Sequence, residues 1–219
     1  MIFLNFKAYA KSTGRNGLAL ARIAEKFSGE AKRKTIACPS YLELSSCAKL
    51  SSKYFSVFAQ HADAVEPGAF TSRVTMEALK EAGAEGTLVN HSERQVSFEH
   101  ARFIVQKSNA LKMKALVCAD SVEKAVLFAQ LRPWGIAVEP PELIGTGKSV
   151  SRARPEAVEN AVSQIKSVSK EIKVIVGAGV ADAVDYWKCM ELGAEGVLIS
   201  SRFVMAPDTK AWLAPFAKK

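Results

Sequence analysis

Eight times along its length this chain sets a short apolar run against a longer amphipathic segment, and that alternation constrains its fold more than any other feature. Apolar and β-branched runs fall near residues 2–7, 34–38, 55–60, 86–90, 113–118, 134–139, 173–177 and 196–200. Helical periodicity fills the intervals near 16–28, 42–51, 74–82, 95–109, 121–130, 155–169, 181–192 and 208–217. Strands that read as continuously apolar are buried on both faces, which calls for a parallel sheet covered by helices. Eight units in series predict an α/β fold with eight parallel strands closed into a (β/α)8 barrel, one domain over residues 1–219. An open dinucleotide-binding sheet would carry G-x-G-x-x-G after an early strand, and the sequence has none.

Local signals mark the joints. Ser40/Glu43, Ser92/Gln95 and Asp120/Glu123 have capping-box spacing, which places helix starts there. Gly83 and Gly193 fall where helices should stop. The phrases Glu81-Ala82-Gly83-Ala84-Glu85-Gly86 and Glu191-Leu192-Gly193-Ala194-Glu195-Gly196 are near repeats, read as one local solution used twice.

Composition removes several classes. A chain of 219 residues, 48% hydrophobic and 24% charged, can bury one sizeable core. Its apolar runs are too short to cross a bilayer, and Asn5 and Lys7 interrupt the first one too early for a signal peptide. The four cysteines, Cys38, Cys47, Cys118 and Cys189, lie far apart without metal-ligand spacing and read as reduced core thiols of a cytoplasmic protein. The net charge of +8 suits an anionic partner without choosing one. Lys and Arg are scattered, with neither a basic run nor aromatic interleaving of the kind nucleic-acid modules use.

In such a barrel, chemistry belongs at the C-terminal ends of the strands. Those ends carry Asn5-Phe6-Lys7, Asn90-His91-Ser92-Glu93-Arg94, Glu139, Gly177-Ala178-Gly179 and Ser200-Ser201-Arg202. Taken singly, Lys7 could be solvated, His91 could be a core histidine, and the glycines could serve a turn. Together they bring a cation, an imidazole and a carboxylate to one mouth, with small-residue turns opposite that can offer backbone N–H groups to a phosphate. Glu139 opens the stretch Pro140-Pro141-Glu142-Leu143-Ile144-Gly145-Thr146-Gly147, stiff on one side and glycine-rich on the other, as a lid over a base would be. Gly147-Lys148-Ser149 ends like a nucleotide-binding P-loop, but Glu142 stands where that motif needs a glycine.

The segments Asn5-Phe6-Lys7, Asn90-His91-Ser92-Glu93 and Val138 to Gly147 resemble the triosephosphate isomerases, in the compact form typical of archaea, and the likeness runs in order over the whole chain. The resemblance implies an enzyme of glycolysis and gluconeogenesis that interconverts dihydroxyacetone phosphate and D-glyceraldehyde 3-phosphate through an enediolate, with no metal or other cofactor. By the same resemblance Glu139 is the base, His91 the electrophile, and Asn5 and Lys7 bind substrate, while Ile144, Gly179, Ser200 and Ser201 line the phosphate site. These roles are the family's general ones and are not read from spacing. Helix-dipole stabilisation of neutral His91 is expected if Ser92 to Gln95 cap a helix.

Other phosphate-binding barrel isomerases or synthases would share the late turns but not His91 with Ser92-Glu93. A basic, non-catalytic barrel binding RNA or protein is the reading from another class. The long segment 60–72, with Gly68 and Phe70 near its tip, corresponds to a family loop that inserts into a neighbouring subunit, implying a homo-oligomer, dimer or tetramer, with no nucleic-acid or membrane partner. One departure stands out: compact relatives carry glycine where this chain has Arg202. Either Arg202 makes a structural salt bridge away from the mouth, or it adds a second cation near the phosphate.

Overall fold

The computed structural model describes residues 1–139 and 155–217. Its strands are β1 (Ile2–Asn5), β2 (Thr35–Cys38), β3 (Phe55–Ala59), β4 (Gly86–Val89), β5 (Lys114–Ala119), β6 (Gly135–Val138), β7 (Lys173–Val176) and β8 (Gly196–Ile199). Each pairs in parallel with its neighbours in sequence, and β8 returns to β1 through Ile2↔Val197 and Leu4↔Ile199, closing the barrel. The helices are α1 (Arg15–Ala31), α2 (Tyr41–Ala48), α3 (Met76–Glu81), α4 (Phe98–Ala110), α5 (Val122–Ala129), α6 (Pro155–Val168), α7 (Ala183–Glu191), α8 (Ser201–Val204) and α9 (Thr209–Leu213). The helix expected over 208–217 is thus a short α9 followed by a 3-10 turn, Ala214–Ala217. Among the described residues no helix is long and apolar enough to cross a membrane.

Alternation along each strand divides the core in two. Ile2 and Leu4 point outward into a shell packed by the helices, whereas Phe3 points into the barrel with Ile36, Phe58, Leu88, Leu116 and Ile175. Phe3, Phe58 and Trp134 meet edge to face at 5.4 to 6.1 Å, plugging the interior so that the barrel is a core and not a pore. Ligands are left with the rims.

The near repeats are the same joint. Gly83 and Gly193 adopt φ of +88° and +90°, ending α3 and α7 in a conformation glycine adopts without strain. Glu85 and Glu195 follow, each donating its N–H to the carbonyl of a neighbouring strand, Val57 and Val174, at 2.8 Å. Glu85 pairs with Lys34 and Lys114, and Glu195 with Lys166 and Lys173. Lys114 and Lys173 open β5 and β7, so each carboxylate fastens the next or preceding strand at the N-terminal rim.

The capping assignments need correction. Ser97, not Ser92, caps α4 by accepting from His100 N–H, and Ser121, not Asp120, caps α5 by accepting from Lys124 N–H. Ser40 does precede α2, but its hydroxyl donates to the Glu43 carboxylate, which in turn accepts from Gly14 N–H at 2.7 Å. In each case a serine or carboxylate found a tertiary partner or a nearer cap that the spacing alone did not distinguish.

Candidate active site

Lys7 follows β1 with φ of +49°, a left-handed backbone that costs a non-glycine residue about 1–2 kcal/mol. The surroundings hold it there. Asn5 Oδ1 accepts from Lys7 N–H at 3.0 Å, and Gln60 Nε2 donates to the carbonyls of Lys7 and Cys38 at 3.1 and 2.9 Å. The Lys7 ammonium then meets Glu93 Oε1 at 2.8 Å.

After β4, Asn90 also has positive φ, +60°, and serves as a clamp. Its amide donates to Cys118 O at 2.9 Å and its Oδ1 accepts from Val96 N–H at 2.8 Å, fixing both ends of the turn that presents His91. Residues 91–95 form that turn, and α4 begins only at Phe98. The expected helix terminus at His91 is therefore replaced by something more local: Glu93 N–H donates to His91 Nδ1 at 3.2 Å. A nitrogen that accepts carries no proton, so the neutral ring bears its proton on Nε2. Burial lowers the His91 pKa, Lys7 adds to the effect, and Glu93 opposes it.

Nε2 of His91 lies 3.7 Å from Glu139 Oε1. Glu139 sits just past β6, its N–H donated to Ala119 O at 2.7 Å, and only 3% of it is exposed. Burial pushes its pKa up to about 7, against hydrogen bonding from Ser92 and the charge of Lys7. Gly177 makes room for it: a Cβ there would lie 2.5 Å from Glu139 Cγ. Beyond the turn or phosphate contact expected of Gly177, its hydrogen atom is what lets the carboxylate pack.

These groups line one cavity of about 530 Å³. Asn5, Lys7, His91 and Glu139 form one side, and Gly177 to Ala181 with Ser200, Ser201 and Arg202 form the other. Gly179 has φ of +68°, and the buried Ser200 hydroxyl has no hydrogen-bond partner among the described residues. Arg202 sits in α8 without positive φ, so this position does not require glycine. Ile144 and the stretch read as a lid, with its P-loop-like end, lie outside the described residues. Gln60 and the roles of Glu93 and Ser92 were missed in the sequence; a polar amide ending an otherwise apolar strand was the available signal for Gln60.

Residues 1–214 match the sequence model of the family described as triosephosphate isomerase. The chain belongs to the triosephosphate isomerase family. It is 42% identical over 210 residues to the triosephosphate isomerase of Methanothermus fervidus, covering 96% of this chain and 94% of that one. The enzyme of Methanopyrus kandleri is 43% identical over 95% of this chain and 92% of its own length, and that of Archaeoglobus fulgidus 42% over 96% and 93%.

Proposed function

We propose that residues 1–219 act as one catalytic domain in which Glu139, His91 and Lys7 interconvert dihydroxyacetone phosphate and D-glyceraldehyde 3-phosphate. Glu139 takes the proton from the carbon beside the carbonyl and returns it to the neighbouring carbon. A carboxylate in water is a weak base for such a proton; burial raises its basicity, as its pKa of about 7 reflects. His91 donates its Nε2 proton as a hydrogen bond to the carbonyl oxygen, where the enediolate charge develops, and Lys7 supplies a fixed positive charge to the same oxygen and the dianionic substrate. Asn5 orients Lys7 and substrate, and Gly179, Ser200 and Ser201 receive the phosphate. Proton transfer between side chain and substrate requires no further group.

The observation that carries this reading is the proximity, 3.7 Å, of a buried carboxylate with raised pKa to an imidazole nitrogen whose proton is fixed by the bond at its other nitrogen. The test is a coupled assay with purified protein and glyceraldehyde 3-phosphate. Turnover in the ordinary enzymatic range supports the reading, and an inert, folded protein contradicts it.

The chain is also proposed to work as a homo-oligomer, dimer or tetramer. Between β3 and α3 a long segment is pinned at its base, where Asp63 accepts from Val74 N–H at 2.8 Å and pairs with Arg73 at 2.9 Å. Beyond that base Phe70 is half exposed, and Leu42 on the adjacent α2 is 86% exposed. Apolar side chains so displayed suit a second copy. Light scattering after size exclusion should give a multiple of 23.7 kDa, and a fully active monomer would count against it. A cytoplasmic setting is in keeping with four buried, free thiols.

A further inference from the structure

Among the described residues two basic side chains, Lys7 and Arg202, line the cavity, and of these Lys7 is already neutralised. Lys7 meets Glu93 at 2.8 Å. Arg202 is exposed at the opposite wall and makes no ion pair or hydrogen bond with any described residue. With Glu139 ionised, as its role as a base requires, Lys7, Glu93 and Glu139 together carry one negative charge. Such a mouth would repel a substrate that brings two more. Arg202 removes that deficit at the wall where Gly179, Ser200 and Ser201 stand, away from the reacting carbons near His91.

We propose that Arg202 is a phosphate-binding residue of this chain, a cation that sets affinity for the dianionic end of the substrate while leaving the proton transfer itself unaided. This rests on the isomerase reading of the site for its substrate but not for its physical content, which is the attraction of a dianion. The guanidinium offers a planar set of N–H donors suited to phosphate oxygens. Its interaction is the same before and during proton transfer, because the phosphate charge does not change. Binding that is uniform across ground and transition states lowers KM without raising kcat. Since the position is exposed, the effect is screened by salt over a Debye length of about 10 Å at 0.1 M.

Arg202→Gln, Arg202→Glu and Arg202→Lys are to be compared with the unaltered protein in kcat, KM and competitive inhibition by inorganic phosphate, at low and high ionic strength. The glutamine variant should raise KM and the phosphate inhibition constant roughly three- to tenfold, with kcat held, the range expected for one partly screened charge contact. Glutamate should raise both further, lysine should restore most of the loss, and high salt should shrink every difference. Unchanged KM and phosphate inhibition in both the glutamine and glutamate variants overturn the proposal, as does a fall in kcat at constant KM. Thermal unfolding checks that each variant folds, and the lysine variant keeps the question decidable if the others do not. Calorimetric binding of inorganic phosphate separates the two readings. An unaltered protein that does not turn over triose phosphate sinks the isomerase assignment, yet weaker phosphate binding by the glutamine variant would still uphold Arg202, and equal binding would still reject it.

Discussion

The two rims of this barrel treat the same side chain in opposite ways. At the N-terminal rim, burial alone would raise Glu85, but the hydrogen bond from Lys114 and the charges of Lys34 and Lys114 outweigh it and bring its pKa down to about 2. Glu195 is likewise held below the usual range, its burial overcome by Lys166 and Lys173. At the C-terminal rim, burial dominates at Glu139 and its pKa rises to about 7. What differs is where the lysine goes. Lys7, the cation that could have paired with Glu139, is taken by Glu93 at 2.8 Å, leaving the Glu139 carboxylate under-compensated. One rim uses carboxylates to fasten strands, and the other holds one buried with a raised pKa.

Removing a carboxylate from each rim should separate the two uses. Glu139→Gln keeps shape but removes the acceptor, so kcat should fall by at least about 100-fold. Glu195→Gln should leave kcat within about twofold and act on stability instead, consistent with its partly exposed, structural pairing. A loss below about tenfold in the Glu139 variant would move the base elsewhere. Steady-state kinetics on both variants, with circular dichroism to confirm folding, checks the contrast.

The same substitution should stabilise the protein in alkali. A carboxylate whose folded pKa lies above its unfolded value favours the protonated fold. Its charge therefore opposes folding little below about pH 4.5, increasingly through pH 7, and fully above that. Glu139→Gln removes the opposition, worth up to about 3 kcal/mol. Thermal unfolding should show the variant ahead of the parent at pH 8 and level with it near pH 4.5. At the other rim the sign reverses: Glu85 and Glu195 stabilise the fold above about pH 4.5, and that contribution is lost as pH falls below it, for Glu85 as pH approaches about 2.

The smallest effect belongs to Lys114. Its pairing with Glu85 is partly exposed, so Lys114→Met should cost no more than about 1 kcal/mol and leave kcat/KM unchanged within about twofold. A tenfold loss of activity would mean that the N-terminal rim communicates with the mouth.

Much of this was legible in the sequence because burial on both strand faces writes itself as apolar runs. The eight strands, the closed barrel and the convergence of Lys7, His91 and Glu139 all follow from that pattern plus the rule that strand C-termini carry function. What was not legible depends on proximity in space. Ser92 and Ser97 both look like helix caps; only Asn90, bonding forward to Val96, decides that the first belongs to a turn and the second to α4. The Nδ1 contact that sets the His91 tautomer, the 2.5 Å that makes Gly177 necessary and the amide of Gln60 beneath Lys7 join segments distant in the chain or folded sharply back on themselves. Arg202 stands where compact relatives carry glycine, and its backbone is unstrained because α8 begins before it.

The difference between the rims can be read directly by carboxyl 13C NMR with glutamate labelled, the Glu139 and Glu85 signals assigned by Glu139→Gln and Glu85→Gln. In the free protein Glu139 should titrate near 7 while Glu85 titrates near 2. If both titrate together in the ordinary range around 4.5, the mouth does not hold its base apart from solvent, and the account of Glu139 is wrong.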